Sequence, residues 1–477
     1  MKNKTISNME EIMYKRFSFK SEGRREFLFI NLHPKRIISL VIACLFMCMN
    51  IYAYSVFDLY YGSEISHHDA RVSGMGGAGA AGGFTLMDSS INPANLYFLD
   101  ATRGAQMTYS LIKNSESRAL PMWNFFDSFI GHSTYARNEN FYNEFSFGAY
   151  YSLPLNTSKL SLGFVMRPVV NFGADYREEV RNDESSDSDN YPPIIAMNFI
   201  DSKGMLNSYN LLLNWGVPIK CTCGDCYNYN FSIGAEISYY DGKHEHEERI
   251  HWTDKAHELA TETLSEDSFL STKNNIDGIG FKFGLASQIS PRVRLGLTYS
   301  PKVSLNAEFV SEHSKEYIFL EDFDDYIIPS KMRIGVLFRP RNPFRTNFHA
   351  DFELINYEDI DSFFENGYAL YVGMEHYVGR AIPLRLGFSH HTARQNKSIS
   401  LPVISTGTSF DILNNLSVDL SAEYGKREYS DLDLFPDGYY DKRGLWRNIR
   451  PADRGWDNPD LVTESFFKMF ASLSYKW

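Results

Sequence analysis

The sequence predicts an all-β protein, a membrane-spanning antiparallel barrel of about fourteen strands that closes on itself behind an N-terminal plug. Three observations lead to it. Aromatic residues make up 15% of the 477 residues (30 Tyr, 36 Phe, 6 Trp), yet mean hydropathy is −0.32, so apolar side chains are plentiful but interleaved with polar ones. From Gln106 onward, about fourteen segments alternate apolar and polar residues, the period that sends one set to each face of a sheet. The connections between them alternate short and long in a constant phase, as they do when short turns lie on one side of a membrane and long loops on the other.

At the N-terminus, residues 37–49 form a continuously apolar run behind Lys35 and Arg36 and ahead of Ala53. The run falls short of the ~20 apolar residues that a spanning helix needs, and its flanks are those of a secretory signal peptide cleaved after Ala53. Translation from Met13 would shorten the long lead. A competing reading takes Val41-Ile42-Ala43-Cys44 as a lipoprotein box, but the apolar run continues past Cys44. Residues 1–53 are therefore expected to be a signal peptide with an N-terminal extension, residues 54–104 the plug, and residues 105–477 the barrel. Removal of residues 1–53 takes away nine basic and four acidic residues and moves the net charge from −12 to −17, which argues against nucleic acid as a partner.

Residues 54–104 show no alternation. They contain Gly74-Met75-Gly76-Gly77-Ala78-Gly79 and then Asp88, Asn92, Pro93 and Ala94. A phosphate-binding loop is a weak reading, because no Gly-Lys-Ser/Thr follows and no preceding strand is evident. An ordinary turn would also account for Asn92-Pro93.

Four strands illustrate the barrel pattern. Leu160, Leu162, Phe164 and Met166 alternate with Lys159, Ser161, Gly163 and Arg167; Leu295, Leu297 and Tyr299 alternate with Arg294, Gly296 and Thr298. Phe348, Phe352 and Leu354 oppose His349, Asp351 and Glu353, and Leu416, Val418, Leu420 and Tyr424 oppose Asp419 and Glu423. In a barrel the apolar set meets lipid, and Arg294, Arg333, Asp351, Glu353, Asp419 and Glu423 line the lumen. Short connections are expected around residues 154–157, 219–226, 290–291, 341–343, 379–382 and 413–414, on the periplasmic side. Long ones are expected at residues 114–142, 178–205, 241–276, 310–328 and 426–463. The final strand alternates up to Trp477, and an aromatic end of this kind resembles the signal by which outer-membrane proteins engage the barrel-assembly machinery.

The Met-Gly-Gly-Ala-Gly run followed by Asp88 and Asn92-Pro93-Ala94 resembles the start of mature proteins in the FadL family of hydrophobic-compound transporters and in the related PorV-like barrels. The stretches Asp277-Gly278-Ile279-Gly280, Arg294-Leu295-Gly296-Leu297 and Arg333-Ile334-Gly335 extend the likeness. The resemblance implies a fourteen-stranded outer-membrane barrel and a hatch made by the segment holding Gly74, Gly76, Gly77, Gly79, Asp88, Asn92, Pro93 and Ala94. It also implies passive uptake of hydrophobic or amphipathic molecules, such as long-chain fatty acids or aromatic hydrocarbons, with sideways exit to the membrane through a defect in the third strand. Pro168, which has no N–H for the ladder, and Gly173 are the candidates for that defect; a strand end at the membrane rim is the alternative. A PorV-like adaptor for secreted surface proteins is the second functional reading.

Enzyme chemistry is not expected, since no nucleophile with a base and no paired carboxylates stand at a working spacing. The cluster His244, His246, His251 and His257 lies among acidic residues without metal-ligand spacing, so neither metal nor cofactor is assigned. Cys221, Cys223 and Cys226 fall in a short turn, where Cys221 and Cys226 are expected to pair, leaving one thiol.

Overall fold

The computed structural model describes residues 57–59, 61–181, 194–219, 229–259, 268–313, 325–341, 345–378, 382–432, 434 and 459–477. The expected signal peptide and the Cys221–Cys226 pairing lie outside them. Among the described residues eighteen strands form one antiparallel sheet. A two-residue strand, β1 (Ser63–Glu64), belongs to the N-terminal segment, and seventeen make the wall: β2 (Arg103–Trp123), β3 (Phe129–Pro154), β4 (Lys159–Asn171), β5 (Ala174–Arg181), β6 (Ile194–Ile219), β7 (Tyr229–Trp252), β8 (Ser268–Ser290), β9 (Val293–Ser300), β10 (Val303–His313), β11 (Asp325–Ile328), β12 (Lys331–Phe338), β13 (Thr346–Ile355), β14 (Gly367–Val378), β15 (Ile382–Thr392), β16 (Ser400–Leu413), β17 (Leu416–Asp431) and β18 (Asp460–Lys476). Three staves are interrupted, so that β4 with β5, β9 with β10 and β11 with β12 each count as one, and the wall has fourteen staves. It closes where β18 pairs β2, from Leu461 opposite Ala119 to Lys476 opposite Gly104. Closure leaves no free edge to template aggregation.

The alternation read in the sequence sets the two faces. Leu162, Phe164, Leu211, Ile237, Phe283 and Leu386 stand exposed on the outside, where only a bilayer can cover so many large apolar groups, while Ser161, Asn210, Asn214, Arg333 and Glu375 are buried within. All six expected lumen residues are in the interior.

The expected long loops are corrected in part. Residues 114–142 are almost wholly strand, with β2 and β3 meeting at a tight turn, and β7 runs on to Trp252 before a short helix, α2 (Asp254–Leu259). The polarity of the two faces inverts there. On β7, Lys243, Glu245 and Arg249 point outward and Ile250 and Trp252 inward. Beyond the membrane the barrel is bathed in water, so its greasy face turns inside as in a soluble sheet; Leu59, Tyr176, Ile195, Ile200, Ile250 and Trp252 share one such inner cluster. The apolar-outside pattern that marks the spanning strands disappears at that level. His244 and His246 are accordingly buried inside β7 rather than lying in a solvated loop, whereas His251 and His257 are exposed.

Candidate functional site

The N-terminal segment runs through the lumen and is clamped to the wall all round. Asp69 caps a one-turn helix, α1 (Ala70–Ser73), accepting from the N–H groups of Arg71 and Val72, and Gln106 of β2 donates to its other oxygen at 2.7 Å. The chain then turns through Gly76 (φ 66°) and Gly77 (φ 82°), conformations that favour glycine. A 3-10 turn at Met87–Ser90 leads to a second at Pro93–Phe98, whose first turn Asn92 caps and Pro93 opens. Wall glycines receive this backbone. A Cβ at Gly296 would collide with the Ala80 carbonyl, and one at Gly387 with the N–H of Gly76. Main chains this close require a residue without a Cβ on the wall side.

Charged wall residues hold the segment at its orphan polar groups. One oxygen of Asp351 accepts from the N–H groups of Gly79 and Ala80, both at 2.8 Å, and from Arg333 at 2.7 and 3.0 Å, while Arg333 also donates to the Gly77 carbonyl at 2.5 Å. Arg294 donates to the Gly82 carbonyl. Glu375 joins Arg71 of the segment (2.6 Å) to Arg385 of β15 (2.9 Å), and Arg385 reaches Asp419 at 2.7 Å. Asp88 folds the segment on itself, accepting from the N–H groups of Gly83, Phe84 and Thr85, although burial pushes its carboxyl up to about 7. Asn92 donates to Ala80 and Leu285, and Asn95 to Gly79. Burial, then the charges of Arg167 and Lys468, push the His68 imidazole well below its usual range, so it is neutral.

The third stave is broken next to this segment. The β3–β4 ladder runs from Pro154 opposite Lys159 to Phe147 opposite Met166 and stops; on the other side, β4 slips register against β6 between Pro168 and Val170. β4 ends at Asn171, and β5 resumes after Phe172 and Gly173. Where β3 has left, the segment supplies backbone instead: Ser63 pairs with Asn171, Glu64 with Val170, and the Ile65 N–H donates to the Val169 carbonyl at 2.9 Å. Higher up, side chains of β3 bridge to the backbone of β5: Asn140 donates to the Asp175 carbonyl and Asn138 accepts from the Arg177 N–H.

Behind the break lies a chamber of about 260 Å³ bounded by the segment, by Arg167 and Val169 of β4, and by charged wall residues. Seven of its lining residues are Lys or Arg and five are Asp or Glu. The segment is pinned across it by ion pairs of Glu64 with Lys331 and Asp58 with Arg394 (2.7 Å), and by a hydrogen bond between His67 and Glu423 (2.6 Å). Above and beside it an apolar inner wall gathers Val169, Phe172, Leu206, Val303 and Leu305.

No family model matches the chain, and no curated protein matches its sequence. Solved structures do match. A FadL homologue from Pseudomonas aeruginosa aligns with TM-score 0.54 at 13% identity over 87% of this chain and 99% of that one. The toluene transporter TodX from Pseudomonas putida aligns with TM-score 0.52 at 11% identity over 87% and 99%. The chain has the FadL-type barrel fold. Wrapped in its belt of exposed apolar side chains, this FadL-type barrel is an outer-membrane protein.

The FadL-type barrel brings most of the expected residues to one place. Gly74, Gly76, Gly77, Gly79, Asp88, Asn92, Pro93 and Ala94 are buried in the lumen, and Pro168 and Gly173 flank the break. Sequence reasoning missed the receiving glycines of the wall, whose signal was glycine inside alternating strands, and the Glu375–Arg385 pair, which has no local signature. It also missed Asp58, Glu64 and His67, which look like any polar linker until the fold sets them in the lumen.

Proposed function

We propose that this protein is an outer-membrane channel for passive uptake of hydrophobic or amphipathic small molecules, of the long-chain fatty acid or aromatic hydrocarbon type, and not an enzyme. The break in the third stave beside a lumen chamber is the observation that carries the reading. The fold neighbours described as a FadL homologue and a toluene transporter support it. Residues 54–104 act as a hatch: clamped by Asp351, Arg333, Arg294 and Glu375, they close the way down to the periplasm and leave the wall as the exit. Pro168 and Gly173 keep that exit free of the β3–β4 ladder, leaving only the short pairing with the segment to close it. An excess of basic over acidic residues around the chamber favours an amphiphile with an anionic head over a bare hydrocarbon. An adaptor for secreted proteins would need no opening in its wall. The strand ending at Trp477 is the element offered to the assembly machinery.

The test is uptake of labelled oleate and of labelled toluene by cells that lack their own hydrophobic-compound channels and express this chain. Faster uptake of oleate than in empty cells is expected, with toluene less favoured; no gain for either compound would overturn the reading.

A further inference from the structure

The hairpin formed by β2 and β3 ends in an aromatic tip. Phe125 is 105% exposed, Phe126 86%, Ile130 61%, Trp123 53% and Phe129 50%, a concentration of large apolar groups that a water-facing turn does not need. The turn itself is well built. Asn124 accepts from the N–H groups of Phe126 (2.8 Å) and Ser128 (3.0 Å), Asp127 takes the left-handed conformation (φ 54°), and Trp123 packs edge-on against Phe129 with centroids 5.5 Å apart. The turn backbone is fixed by Asn124, and Trp123 and Phe129 hold each other, so this part of the tip has little freedom left to lose on binding.

The protein's own bilayer is out of reach. On this hairpin the lipid-facing apolar run ends at Phe141 and Leu111, where the exposed Lys113–Glu139 pair begins a polar outer face. The tip lies ten residues further along β2, roughly 33 Å of strand at ~3.3 Å per residue, or about 25 Å of height at a ~40° tilt. The tip also stands at the end of the barrel opposite the short turns.

We infer that this tip inserts into a second lipid–water interface presented from outside the cell, such as a vesicle or an apposed membrane with uncharged or zwitterionic headgroups. The receiver is chosen by shape and charge. A convex tip of a few rings has no surrounding rim to build the ~1,000 Å² of a stable protein interface, whereas a fluid interface takes Trp and Phe singly. From Ala119 to Ala136 the only formally charged residue is Asp127, and the chain beyond Ala53 is strongly acidic, so nothing at the tip attracts an anionic surface.

The experiment uses the full barrel in nanodiscs, mixed with phosphatidylcholine vesicles and separated by flotation. The wild-type protein should float with the vesicles, and the triple variant Phe125→Ser, Phe126→Ser, Phe129→Ser should bind at least tenfold more weakly. Acyl chains brominated in the vesicles should quench part of the wild-type tryptophan emission, and Trp123→Phe should remove that part. Equal flotation of wild type and triple variant overturns the inference, as does wild-type protein that stays unbound. Tighter binding to phosphatidylglycerol vesicles than to phosphatidylcholine at low salt, or tip-dependent dimerisation of the barrel in detergent micelles with no bilayer present, also overturns it.

Discussion

Asp351 is buried on the inner face of β13 with a guanidinium on one side and two backbone N–H groups on the other. Its charge is matched twice, once by Arg333 and once by the N–H pair at the glycine turn. Asp351→Asn leaves Arg333 buried beside a neutral group and weakens both N–H bonds, a loss of about 3–5 kcal/mol. Urea unfolding of the purified barrel should show that loss, and amide exchange at Gly79 and Ala80 should rise by orders of magnitude; unchanged exchange would mean that the segment is held elsewhere. Gly387→Val acts by volume, forcing a side chain into the main chain at Gly76, and is expected to cost about 1–3 kcal/mol or more and to raise permeability to bulky antibiotics. His68 gives the segment a pH dependence. Its folded-state pKa is depressed by burial and by Arg167, Lys468, His67 and Lys282, so the neutral form is the one that fits. The stability this contributes is present above the unfolded value of ~6.5 and is lost as pH falls below it. Amide exchange of residues 66–69, corrected for intrinsic rates, should therefore be faster at about pH 5 than at about pH 7. His68→Phe should flatten that difference.

At the level of elements, the third stave departs from its neighbours because β3 and β4 part company at Met166, one residue before Arg167-Pro168. A proline inside a ladder leaves an acceptor without its donor, and the register slip at Val170 continues the distortion. The strand β1 fills the vacated edge with only two paired residues. So short a pairing is easily broken, because its few hydrogen bonds contribute roughly 0.5–1.5 kcal/mol each. Pro168→Val restores an N–H and should extend the β3–β4 ladder, slowing oleate uptake several-fold while the barrel still migrates as a folded, heat-modifiable species on gels. Uptake at the wild-type rate would separate the break from transport.

The whole molecule is a closed sheet whose two ends differ: short turns at one end and strand extensions at the other, with polarity inverted once the wall leaves the bilayer. An epitope inserted at Phe126 should be reached by antibody on intact cells, and one inserted at Thr157 only after the outer membrane is opened; the reverse would turn the barrel over. Fold class, stave number, the phase of the turns and the inward set Arg294, Arg333, Asp351, Glu353, Asp419 and Glu423 were legible in the sequence by itself. Each depends on an i, i+2 pattern that a strand displays locally, whatever its neighbours are. The strand extensions were not legible, since their faces follow a change of solvent, from lipid to water, that has no residue-level marker. The partners of the lumen charges, the pairing of β1 with β4 and the fit of Gly76 against Gly387 were decided by tertiary structure alone. They join residues hundreds of positions apart, and only closure of the barrel around the N-terminal segment sets the distances between them.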